Sequence, residues 1–228
     1  MGTFVTLGGT TSAGTGYLAD SAEPGPGVLV VHDLYGQLPH VRELCDSLAE
    51  AGFTALAPDL YGGRSTREDA EAERLLAGLD VVRSRGMLTS AARQMRAHPK
   101  VKPERIGAVG FSMGGWLALL TATTGVLDAV VAYYAALQRD ERSHIECPVL
   151  VQLAQIDDWD PPETPDSFIA ELEASGTTAE LTTWPGTRHS FANADVPAYA
   201  PDQARWAWIE TVEFLGRHLR DPRGRAGP

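Results

Sequence analysis

The residues most able to do chemistry in this chain are Gly110-Phe111-Ser112-Met113-Gly114. They form Gly-x-Ser-x-Gly, with the apolar run Ile106 to Gly110 before them and, after Gly115, a helix-like segment from Trp116. Where a strand turns sharply into a helix, a serine at the turn is forced into a strained backbone conformation. Its hydroxyl then stands exposed at the carboxyl end of the strand. Small residues two positions either side are needed, because larger side chains would meet neighbouring backbone. The helix that follows aims free N–H groups at developing negative charge. The segment has neither the G-x-G-x-x-G of a dinucleotide loop nor the Gly-Lys-Ser/Thr of a phosphate loop. Ser112 is therefore the expected nucleophile.

A serine hydroxyl attacks well only when a histidine can take its proton, and the histidine needs a carboxylate to fix its tautomer. On a strand–turn–helix serine the expected chain order is Ser, acid, His. The strand-like run Pro148 to Ala154 leads to Gln155-Ile156-Asp157-Asp158-Trp159-Asp160, a loop suited to the acid. Asp157 is the first choice and Asp158 the alternative, since sequence alone does not separate neighbours; Asp160 reads as part of a solvated turn. The strand-like run Ala179 to Trp184 is followed by Pro185-Gly186-Thr187-Arg188-His189-Ser190-Phe191, which makes His189 the expected base. His32, His40, His98, His144 and His218 have plainer positions, although His32 ends a strand close to the site. The oxyanion donors are expected to be the backbone N–H groups of Met113 and Leu34, the latter in the loop after Val28 to His32. Losing one such donor typically costs about 3–4 kcal/mol of transition-state stabilisation.

Placing these groups requires a layered scaffold. Val28 to His32, Phe53 to Ala57, Ile106 to Gly110, Ala129 to Tyr134 and Pro148 to Ala154 are continuous apolar runs, as expected for parallel strands covered on both faces. Between and after them, helical patterns are predicted over residues 41 to 51 (ended by Gly52), 69 to 82, 87 to 97, 163 to 174 and 203 to 219. Strand–helix alternation predicts an α/β architecture with a mostly parallel central sheet and helices on both faces. Thr3 to Leu7 and Gly16 to Ala19 predict an antiparallel edge hairpin. One domain is expected over residues 1–220, with a disordered tail from Asp221 to Pro228.

Composition narrows the function classes. The net charge of -11 argues against nucleic acid and against an anionic membrane surface as partners. No apolar run reaches membrane-span length and no secretory signal is visible, so a cytoplasmic protein is expected. The start Met-Gly-Thr-Phe-Val-Thr fits a loose myristoylation pattern, but reads better as an edge strand. Two cysteines, Cys45 and Cys147, are too few for a disulfide scaffold and have no histidine at metal-ligand spacing.

Taken together, several segments resemble the dienelactone hydrolase family of the α/β-hydrolase fold. They are Val28-Leu-Val-Val-His-Asp-Leu-Tyr-Gly36, Ala57-Pro-Asp-Leu-Tyr61, the Gly-Phe-Ser-Met-Gly-Gly turn, Ala132-Tyr-Tyr134 and His189-Ser-Phe191. The resemblance spans about Gly27 to Leu219. It implies little or no cap domain, no metal or other cofactor, and a monomer or small homo-oligomer. It also favours Asp157, because the family's acid precedes a short aromatic-containing segment and a proline. The chain departs from the family pattern in three places. Ser112 replaces the cysteine of the best-known members, Asp33 replaces a glutamate that interacts with that thiol, and Asn193 replaces an arginine that helps hold a substrate carboxylate. Arg64 is one position displaced from a second family arginine. The resemblance thus implies hydrolysis of a small carboxylic ester or lactone, but not of the family's signature lactone. Asp33, Tyr35, Tyr61, Arg64, Tyr134, Trp159, Phe191 and Asn193 are candidates for the substrate pocket, with core packing the equal alternative for the five aromatic residues. A thioesterase or acyltransferase with the same three residues is the nearest alternative, and an inactive binding protein of the same fold the more distant one.

Overall fold

The apolar runs become the strands of one sheet in the computed structural model, which describes residues 1–8, 14–138, 141, 144–159 and 163–220. The strands are β1 (Thr3–Leu7), β2 (Gly14–Ala19), β3 (Gly25–Val31), β4 (Thr54–Pro58), β5 (Val101–Phe111), β6 (Ala129–Tyr133), β7 (Val149–Ile156) and β8 (Ala179–Arg188). The helices are α1 (Pro39–Glu50), α2 (Asp69–Ala77), α3 (Val81–Arg96), α4 (Met113–Ala122), α5 (Glu163–Ala174) and α6 (Pro201–Leu219). The tail from Asp221, Asp160 and residues 9–13 of the hairpin turn lie outside the described residues.

Strand order is β1-β2-β4-β3-β5-β6-β7-β8. Every pairing from β4 to β8 is parallel; β1 and β2 form the predicted antiparallel hairpin, and β2 joins β4 antiparallel. Every residue of β3, β4 and β6 is buried, so each of these strands needs cover on both sides. Leu29 and Val31 face a cluster containing Leu88, Met95, Leu117 and Phe168 from α3, α4 and α5. Val28 and Val30 face Val41, Leu48, Phe214 and Leu215 from α1 and α6. At about 1.5–3 kcal/mol for each large apolar side chain taken out of water, these two layers are what the unbroken apolar strands demand.

Several boundaries differ from the sequence pattern, β5 for one starting at Val101 and not at Ile106, and two differences have a visible local cause. The predicted helix over 69–82 breaks after Ala77 at Gly78, and Asp80 accepts the Arg83 N–H at 2.9 Å as the cap of a new helix. Val81 and Val82 therefore start α3 instead of ending α2. A side-chain cap supplies an acceptor that the first turn of a helix otherwise lacks. The last strand also runs past its predicted end at Trp184. Gly186 adopts φ +72° and the register with β7 shifts there, so Pro185-Gly186 makes an irregularity within β8.

Among the described residues no helix is long and apolar enough to cross a membrane. The sheet matters to function through its order. From β3 the chain goes first to β4 on one side and then to β5 on the other, leaving a crevice where the order reverses. In open α/β sheets, ligands bind in such a crevice at the carboxyl ends of the strands.

Candidate active site

Sheet register alone brings the chemical groups together. Ile156 pairs with Arg188 across β7 and β8, so the next residues, Asp157 and His189, emerge side by side. Phe111 pairs with Tyr133 across β5 and β6, which sets Ser112 beside Tyr134. Ser112 sits between β5 and α4 at φ 51°, ψ -120°, left-handed backbone that a non-glycine residue adopts only under constraint. Its own N–H donates to Tyr133 O at 2.9 Å and its carbonyl accepts the Trp116 N–H at 3.0 Å. The flanking glycines make this turn possible. A Cβ on Gly110 would lie 2.2 Å from Gly114 O, and one on Gly114 would lie 2.3 Å from Val31 O.

Ser112 Oγ lies 2.7 Å from His189 Nε2. His189 Nδ1 lies 2.9 and 2.8 Å from the two oxygens of Asp157. A carboxylate can only accept, so Nδ1 carries the ring proton and Nε2 presents its lone pair to the serine hydroxyl. Asp157 Oδ1 also accepts the Trp159 N–H at 3.0 Å, which ties the carboxylate to its own loop. The Trp159 and Tyr134 rings stand 5.5 and 4.9 Å from the His189 ring. Asp157, and not Asp158, is the carboxylate on the imidazole.

Leu34 and Met113 both border the cleft at Ser112. Met113 is the first residue of α4, where an N–H has no partner within the helix. Among the described residues, neither its N–H nor that of Leu34 is taken by an internal acceptor. The loop carrying Leu34 is pinned: Asp33 Oδ1 accepts the Tyr35 N–H at 2.9 Å, and Gln37 Nε2 donates to Ala57 O at 2.7 Å.

The pocket candidates separate. Tyr134 and Trp159 border the cleft. Phe191 is fully buried and packs in the core, its ring 5.5 Å from that of Tyr134. Tyr35 donates its hydroxyl to Asp69 at 2.8 Å. Tyr61 is buried, with its hydroxyl 3.2 Å from Met113 Sδ, and with Arg64 it borders a separate cleft. Asp33 and Asn193 are buried and bonded to each other, and neither borders the cleft. Sequence reasoning did not single out Leu76, Trp116, Ala135, Ala136, Gln138 and Glu141, which complete the cleft wall. Trp116 carried one signal, its place directly after the Gly-Gly of the turn; the others carried none. His32 stays out of the site, its Nδ1 2.7 Å from Asp33 O and its Nε2 accepting the Leu60 N–H at 3.2 Å. Burial lowers its pKa.

This sheet, helix placement and serine turn are those of the α/β-hydrolase fold. Residues 15–219 match the model of the dienelactone hydrolase family, and the chain belongs to that family. A probable 2-oxo-3-(5-oxofuran-2-ylidene)propanoate lactonase from Bradyrhizobium sp is 26% identical, over 95% of this chain and 94% of that one. A carboxymethylenebutenolidase from Pseudomonas putida is 26% identical, over 84% of this chain and 86% of its own. Among solved structures, a putative dienelactone hydrolase from Klebsiella pneumoniae superposes with a TM-score of 0.83 at 23% identity, covering 95% of this chain and 98% of that one. A dienelactone hydrolase-like promiscuous phosphotriesterase from metagenomic libraries gives 0.84 at 23% identity, covering 96% and 98%.

Proposed function

We propose that the protein hydrolyses a carboxylic ester or lactone through an acyl-enzyme on Ser112. The observation that carries this reading is the chain of short contacts from Ser112 Oγ through His189 to both oxygens of Asp157. That chain opens on a cleft of about 330 Å³, a volume suited to a small ester. The similarity to a lactonase and to carboxymethylenebutenolidases supports the same bond type.

In the first half-reaction Ser112 Oγ attacks the acyl carbon while its proton passes to His189 Nε2. The carbonyl oxygen takes up negative charge against the N–H groups of Met113 and Leu34. Asp157 stabilises the imidazolium, which then protonates the leaving alcohol. Water, deprotonated by the same Nε2, releases the acid and restores the serine. Fluorophosphonate labelling and p-nitrophenyl ester turnover test the reading: Ser112→Ala is expected to lose both. Retention of ester turnover by that variant would refute it.

A further inference from the structure

The wall of the cleft is mostly apolar, with Leu34, Leu76, Met113 and Ala135 among its residues. One side chain of fixed formal charge stands in that wall among the described residues, and it is Glu141. The Trp116 indole N–H lies 3.0 Å from each oxygen of Glu141, and Oε2 also accepts the Gln138 N–H at 3.0 Å. Both donors are neutral, so they hold the carboxylate in place without cancelling its charge. A carboxylate has about four acceptor positions, so donors on a bound molecule find room as well. Arg64, the arginine singled out from the sequence, does not stand in this wall. Arg64 borders the other cleft, with its Nε 3.3 Å from Tyr61 O.

We propose that Glu141 is a specificity-determining residue that turns the cleft against acyl groups bearing a carboxylate and toward uncharged or cationic ones. The inference rests on the ester-hydrolase reading above. A second carboxylate entering this cleft would lose hydration with no cation among the described wall residues to replace it. It would also meet Glu141 across low-dielectric side chains, where like charges repel more strongly than in water. An uncharged ester meets neither penalty, and a cationic one is attracted.

The test compares two p-nitrophenyl esters of equal length, the anionic hemisuccinate and its neutral methyl ester. The wild-type protein is expected to favour the neutral ester at least tenfold in kcat/KM. Raising ionic strength from 0.02 to 0.5 M should shrink that ratio severalfold, because salt screens the repulsion. Glu141→Gln keeps an acceptor for Trp116 and should bring the two esters within about threefold of each other. Equal use of both esters by the wild type overturns this inference alone. So does a tenfold preference that neither salt nor Glu141→Gln alters. A protein that turns over neither ester overturns the ester-hydrolase reading, and this inference with it.

Discussion

Asn193 donates its side-chain amide to Asp33 at 2.7 Å, joining two buried residues 160 positions apart. The resemblance implies a glutamate and an arginine at these two positions; here the two side chains bond to each other instead. Asn193 is 1% exposed, and its Oδ1 accepts the Asp195 N–H at 2.9 Å. It is therefore unable to reach a substrate carboxylate. Asp195 in turn lies 2.9 Å from His40 Nδ1 and pairs with Arg67, so a polar network supports this side of the site.

Breaking that pair should be costly, and more so at neutral pH. Burial pushes the Asp33 carboxyl above its ordinary value, against the opposing pull of His40, the Tyr35 amide and Asn193. Asn193→Ala removes one of the groups that hold it down, and should lower stability by about 2–3 kcal/mol at pH 7. The native carboxyl of the variant then takes up a proton at a pH where the unfolded chain, near about 3.9, remains ionised. Proton uptake by the native state alone is stabilising, so the deficit should narrow as pH falls from 7 toward the native value. Urea unfolding at pH 7 and pH 5.5 measures it; a deficit that widens on acidification would contradict the assignment.

The two adjacent aspartates give a sharper comparison. Asp157→Asn keeps the shape but allows the wrong imidazole tautomer, and is expected to lower kcat by about 10⁴-fold. Asp158→Asn should stay within about threefold, since no contact joins Asp158 to His189. Single-turnover acylation rates for the two variants settle the order.

The turn glycine is expected to matter to folding as much as to chemistry. A Cβ on Gly114 would lie 2.3 Å from Val31 O and 2.4 Å from His32 O, both backbone atoms that have little freedom to retreat. Gly114→Ala should lower stability by about 4 kcal/mol or more, a Tm loss of ~10 °C in a chain of this size. Gly86, inside α3 with no atom within 4 Å of a new Cβ, makes the control. There alanine should raise stability by about 0.5–1 kcal/mol. Thermal unfolding followed by circular dichroism reads both.

Thiol reagents should leave the activity untouched. Cys45 and Cys147 are free and buried, and burial pushes the Cys147 thiol up to about 12. Burial raises the Cys45 thiol as well. Thiolate is the reactive form, so iodoacetamide at pH 8 should spare the native protein. Both cysteines of the sequence should titrate with dithionitrobenzoate only after unfolding. Inactivation by iodoacetamide in step with labelling of Cys45 or Cys147 would contradict this.

The strands were legible because β3, β4 and β6 are buried on both faces, and such burial forces an unbroken apolar run. The approach of Asp157 to His189 follows from a register between parallel strands. Chain order suggested it, but order alone kept Asp158 as an alternative to Asp157, and the family resemblance added support for Asp157. The break between α2 and α3, expected after residue 82, falls earlier because Asp80 acts through one hydrogen bond, which hydrophobic periodicity does not register. Phe191, open between pocket and core in the sequence, lies in the core: Ser190 has φ 66°, the chain turns after His189, and the ring is fully buried. Glu141 was invisible, since its meaning depends on packing against Trp116, 25 positions earlier.

Gly114 packs without a side chain against the backbone of Val31 and His32, at the root of the loop that carries Leu34. The serine turn and the root of the Leu34 loop are therefore seated directly against each other. Several other residues of the cleft wall come from elsewhere: Leu76 from α2, Ala135, Ala136, Gln138 and Glu141 from the segment after β6, and Trp159 from the loop after β7. Such a division lets selection, or a protein engineer, retool what the cleft accepts by exchanging wall residues while the reacting atoms keep their places.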